Sequence, residues 1–98
     1  GTAGTATEYS ETQWLELLSK AYAIEGIVTG HRRIMDEYDP QRQRKLIMDE
    51  WGAWHPVEAG KPQSGLYQQN TMRDACVAAL VTNVAEMFHS PIAMACLP

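Results

Sequence analysis

Apolar positions recur at helical spacing from Trp14 onward. Trp14, Leu17, Leu18, Ala21, Ile24 and Val28 fall on one face. The pattern runs on through Ile34 and Met35 to Tyr38, so the spacing predicts one long helix. Ser10-Glu11-Thr12-Gln13 marks its start as a capping box, the Ser10 hydroxyl accepting from the Gln13 amide while Gln13 reaches back. Asp39-Pro40 marks its end, because proline disfavours helical geometry in the residue before it. Gly26 and Gly30 lie inside the pattern, where each costs up to about 1 kcal/mol against alanine. They signal close packing or a bend.

A different pattern follows the polar connector Gln41–Lys45. The run LIMDEW, from Leu46 to Trp51, opens without polar alternation, which reads as a strand buried on both faces. Gly52 to Gly65, with three glycines and two prolines, reads as a long loop. A second helix is expected from Asn70 or Thr71, with Asn70 as its cap. Its inner stripe is predicted as Met72, Ala75, Cys76, Ala79, Leu80, Asn83 and Met87, and His89-Ser90-Pro91 ends it. IAMACL, from Ile92 to Leu97, reads as a second buried strand. The order helix, strand, loop, helix, strand implies an α/β fold with parallel pairing across a right-handed crossover. Two strands and two helices do not cover both faces of a parallel sheet. The chain therefore reads as a slice of a larger protein, a fragment of a (β/α)8 TIM barrel.

Charge narrows the functional classes. The 98 residues carry a net charge of −4, and the basic residues gather mainly at Arg32, Arg33, Arg42, Arg44 and Lys45. That balance argues against a nucleic-acid partner. No terminal segment has the apolar run of a signal peptide or membrane span, so no membrane partner is expected and the location leans to the cytoplasm. Cys76 and Cys96 lack a CxxC spacing and read as buried thiols, with a disulfide left open. His31, His55 and His89 lie far apart, which argues against a metal site.

The chemistry concentrates in Asp49-Glu50-Trp51-Gly52-Ala53-Trp54. In parallel α/β folds the functional residues sit at the C-terminal ends of strands. Strand alternation sends the two acids to opposite faces, so they are not one pair aimed at one bond. With Leu46, Met48 and Glu50 on the pocket side, Asp49 is a structural acid. The indoles of Trp51 and Trp54 offer flat apolar faces that suit the C–H patches of sugars. A carboxylate beside tryptophan is the equipment of a glycoside hydrolase. An acid at a strand end is also often a cap or an ion-pair partner, and tryptophan is often core. Arg73 and Asp74 read as helix-surface or interhelical ion pairs, and His55 as a rim or loop residue.

Three blocks, HRRIMDEYDP, LIMDEWGAWHPVE and LYQQNTMRDACVAAL, resemble consecutive blocks of the α-L-arabinofuranosidases of glycoside hydrolase family 51, in the same order and with short gaps. The resemblance covers about Tyr9 to Cys96. It implies that Glu50, the glutamate of DEWG at the end of the seventh barrel strand, is the nucleophile, and that IAMACL is the eighth strand. It implies a retaining hydrolase acting on arabinose-containing oligo- and polysaccharides, without cofactor or metal, and a homo-oligomer at full length. Trp54 is the expected sugar contact, and Trp51 a secondary one. The family's acid/base, in an NE motif, would lie upstream, and the glutamine of its MANIAQ segment is not present in MACLP. On that reading residues 1–98 are part of a catalytic barrel without its upstream portion or a downstream β domain, inactive by themselves. Two rivals remain: another retaining glycosidase of the same barrel clan, and a small non-catalytic αβαβ interaction module.

Overall fold

The computed structural model describes residues 4–62, 67–87 and 92–95, the last group by its backbone. The elements run α1 (Glu11–Tyr22), α2 (Ile24–Tyr38), β1 (Leu46–Met48), α3 (Met72–Met87) and β2 (Ile92–Ala95). The capping box at the start of α1 forms as the sequence predicts. The Gln13 amide donates to Ser10 Oγ at 3.2 Å, and the Ser10 amide donates to Gln13 Oε1 at 2.8 Å. At the far end, Asp39 closes α2 by donating its amide to the Met35 carbonyl at 2.8 Å.

One long helix was expected between these caps, and two are found. The break falls at Ala23, whose amide turns back to the Lys20 carbonyl at 3.1 Å and so tightens the last turn of α1. It does not fall at Gly26 or Gly30. A Cβ placed at either glycine would meet nothing within 4 Å, so neither marks close packing.

α1 packs chiefly on α3, and α2 touches both more lightly. The described core is thin: Ala6, Val28, Val77, Val81 and Val84 are its buried apolar residues. The predicted inner stripe of α3 is the wrong face. Val77, Val81 and Val84 point inward with Arg73, while Met72 is 69% exposed and Ala75, Ala79 and Asn83 are exposed too. Both faces of α3 are apolar, so hydropathy alone does not choose between them.

β1 and β2 form a two-stranded parallel sheet, with Leu46 opposite Ile92, Ile47 opposite Met94 and Met48 opposite Ala95. A connection long enough to hold α3 is what parallel pairing requires. The expected burial of β1 on both faces does not hold. Leu46 and Met48 are half-buried, but Ile47 is 58% exposed. The expected fold class is corrected with it. The described residues are mostly helical, the helices pack on one another, and the strands of three and four residues do not amount to a barrel wall. His89, Ser90, Pro91, Cys96 and Leu97 lie outside the described residues, and Cys76 is a free thiol.

Candidate functional site

The strand β1 stops at Met48, and the next six residues form an irregular shelf facing the first turns of α3. Residues 49–54 line one wall of an open cleft of about 830 Å³. Gln68, Asn70, Thr71 and Asp74 line the other, with Ala75, Val77 and Ala78 behind them. The chain turns between the two indoles at Gly52, whose φ of 145° is a conformation that side chains with a Cβ rarely adopt.

Glu50 and Trp54 both reach this cleft and both are exposed, Trp54 by 51%. Asp49 lines the same cleft, so the alternation that was to send it to the opposite side does not persist past the end of β1. Trp51 is half-buried, and its Nε1 is enclosed without a hydrogen-bond partner among the described residues. Tyr67 is 51% exposed and does not line the cleft.

Beneath the shelf lies a polar assembly that the sequence did not announce. Arg73, expected in a helix-surface or interhelical ion pair, is fully buried. Its guanidinium lies 3.7 Å from the centre of the Tyr9 ring, a cation–π contact, and its Nη2 donates to the Thr5 carbonyl at 2.8 Å. The same Nη2 stands 3.2 Å and 3.3 Å from the two ring nitrogens of His55. His55 Nε2 is also 3.4 Å from Asp74 Oδ1. The His55 side chain is only 3% exposed, so it is neither a rim residue nor a solvated one.

Asp74 is also tied to the helix start. Its Oδ2 accepts from the Thr71 amide at 2.8 Å and from the Thr71 hydroxyl at 3.0 Å. Burial pushes the Asp74 carboxyl up, but the Thr71 amide, the Thr71 hydroxyl and His55 together outweigh it and hold the group below its usual range. Tyr9 completes the ring by donating its hydroxyl to Thr71 Oγ1 at 3.1 Å. The spacing Thr71-Met72-Arg73-Asp74 is the signal that was available in the sequence. A threonine three residues before an acid marks a helix start, one residue after the expected cap at Asn70.

The segment before α1 is fastened to the loop as well. Glu58 Oε1 accepts from the Thr7 hydroxyl at 2.6 Å, the Thr7 amide at 2.8 Å and the Thr5 hydroxyl at 2.8 Å. The Thr7 hydroxyl, then the Thr7 amide and the Thr5 hydroxyl, hold the Glu58 carboxyl below its usual range. Among the described residues no cluster of His, Cys, Asp and Glu could hold a metal ion, and no helix is long and apolar enough to cross a membrane.

Residues 49–98 match the family described as the α-L-arabinofuranosidase C-terminal domain. An intracellular exo-α-L-arabinofuranosidase of Bacteroides ovatus is 37% identical over 95 residues, covering 97% of this chain and 18% of that protein. The crystal structure of the GH51 arabinofuranosidase from Xanthomonas axonopodis pv. citri is similar at a TM-score of 0.91 and 33% identity, over 98% of this chain and 20% of that one. The chain thus spans about a fifth of the length of these relatives. The matched family is that of a C-terminal domain, which also corrects the expectation that this stretch is a piece of barrel.

Proposed function

This chain belongs to the α-L-arabinofuranosidases of glycoside hydrolase family 51, and from that premise we propose that it serves an enzyme releasing terminal α-L-arabinofuranosyl residues from arabinose-containing oligo- and polysaccharides. The single observation that carries the reading is that Glu50 and Trp54 stand exposed in one open cleft at the end of a strand. A sugar needs a carboxylate at its anomeric carbon and an apolar plane against its C–H face, and this cleft offers both.

In the proposed mechanism Glu50 attacks the anomeric carbon, the leaving oxygen takes a proton from a second carboxyl group, and water then resolves the glycosyl-enzyme with retention. Retention calls for carboxyl groups about 5–5.5 Å apart. Asp74 is a poor second group because its oxygens are engaged by Thr71 and His55. The resemblance assigns the acid/base to the NE motif, upstream of this chain. Trp54 is the sugar platform, and Trp51, half-buried, supports it.

The test is Glu50→Ala in the full-length protein with an aryl α-L-arabinofuranoside. Hydrolysis should vanish, and added azide should restore turnover with inverted stereochemistry at the anomeric carbon. Activity like that of the wild type in this variant would remove Glu50 from the role.

A further inference from the structure

Trp54 has a half-exposed side chain on a backbone that is held from both sides. The peptide groups flanking it bond to one side chain, that of Gln68. Gln68 Nε2 donates to the Ala53 carbonyl at 2.6 Å, and Gln68 Oε1 accepts from the His55 amide at 3.0 Å. One amide thus does for this loop what a neighbouring strand would do, closing a donor and an acceptor on the two sides of a single residue. Below, the His55 ring lies against Arg73 and Asp74. Upstream, Gly52 takes a φ of 145° that sets the direction in which the loop leaves Trp51. The indole is left as the exposed part of a fastened shelf.

We propose that Gln68 is a positioning residue for Trp54, holding the indole where a sugar ring stacks on it. The inference rests on the reading of Trp54 as a sugar platform. Gln68 acts through the backbone and not through the sugar. Each polar atom of its amide makes one bond to the loop, and the two bonds together span the backbone on either side of Trp54.

The experiment uses the full-length protein and an aryl α-L-arabinofuranoside as the probe. Gln68→Ala removes both bonds. Gln68→Glu keeps the size and the acceptor for the His55 amide, but sets an oxygen against the Ala53 carbonyl. Each should raise KM by about ten-fold with a smaller change in kcat, the scale expected when a binding surface is displaced but not removed. Thermal melts identify folded protein, and Gln68→Glu is the variant read if Gln68→Ala does not fold.

The decisive comparison is the pair of backgrounds. In a Trp54→Ala protein, Gln68→Ala should add nothing further to KM, because the group it positions is gone. Fully additive effects would overturn the proposal, since Gln68 would then act on something other than Trp54. Unchanged KM in both Gln68 variants, with KM raised by Trp54→Ala, would overturn it while leaving the sugar platform standing. Unchanged KM in Trp54→Ala would overturn the platform and this inference together.

Discussion

Among the described residues two arginines are buried, and they serve two different regions. Arg32, in α2, is 5% exposed and lies at the corner where α2 turns toward β1. Its Nε donates to Asp36 Oδ1 at 2.9 Å and its Nη1 to the Arg44 carbonyl at 3.1 Å. Asp36 in turn holds Arg42, whose Nη2 donates to Asp36 Oδ2 at 2.9 Å, and Asp39 Oδ2 accepts from the Arg44 amide at 2.7 Å. Charge there is matched by adjacent charge within a short stretch of chain. Arg73 is arranged otherwise. Its guanidinium meets an aromatic face, a backbone carbonyl and an imidazole, drawn from segments 18 to 68 residues away in sequence. The first arginine closes a local corner, while the second joins three segments of chain beneath the candidate site. A short-range ion pair fixes a bend, and a long-range mixed set of contacts fixes a surface.

If that contrast is right, removing Arg73 should have the largest effect. Arg73→Ala in the full-length protein should cost about 3 kcal/mol, the scale for taking one member out of a buried charged network. It should also raise KM for an arabinofuranoside, because His55 and the shelf lose their support. Arg32→Ala should cost less, about 1–2 kcal/mol, and leave KM alone. Urea unfolding and steady-state kinetics on both variants check this. Equal rises in KM for the two would erase the distinction.

The second effect is acid-dependent. Asp74 has a folded-state carboxyl held below its usual range, so its contribution to stability is complete above the unfolded value of about 3.9. That contribution is lost as pH falls through the lower folded value. Unfolding free energy followed from pH 6 downward should therefore fall more steeply below about pH 4 in the wild type than in Asp74→Asn. Superimposable pH profiles would show that the Thr71 and His55 contacts do not persist in solution.

The smallest effect belongs to the α2 corner. The hydrogen bond from Arg42, with the charges of Arg32 and Arg42 beside it, holds the Asp36 carboxyl below its usual range. It is partly exposed, however, so water and salt screen the pair. Asp36→Asn should move the melting temperature by only a few degrees at low salt and by less at high salt. A large loss that salt does not reduce would place this corner in the same class as the Arg73 assembly.

Different features of the chain were legible for different physical reasons. The ends of the helical region could be read because their signals are local: Ser10 with Gln13, and Asp39 before Pro40. The joint at Ala23 could not, because alanine is the best helix former and gives no sign of a break. The cleft residues Glu50, Trp51 and Trp54 are neighbours in sequence, so pattern and resemblance found them. Arg73 was misjudged because a charged residue on a helix is usually at the surface. Its partners Thr5 and Tyr9 lie more than sixty residues away, and no spacing rule reaches that far. Gln68 was missed for a related reason. It binds backbone, and a backbone partner leaves no trace in residue identity. The expected barrel arose from reading two short apolar runs as walls of a sheet, when most of the described chain is helix packed on helix.

The joint at Ala23 has a consequence for how the molecule fluctuates. α1 is docked along α3, whereas α2 buries Val28 and Arg32 but touches that pair only lightly and leaves Ile27, Ile34 and Tyr38 exposed. Amide protons sort by such differences in docking, since poorly covered helices open without the rest. α1 and α3 should exchange together as the slower unit, and α2 beyond the joint as a faster one, which amide exchange would show. The shelf carrying Trp54 is fastened to the slow unit through Gln68, Arg73 and Asp74. Opening of α2 can therefore recur many times without disturbing the surface on which a sugar would rest.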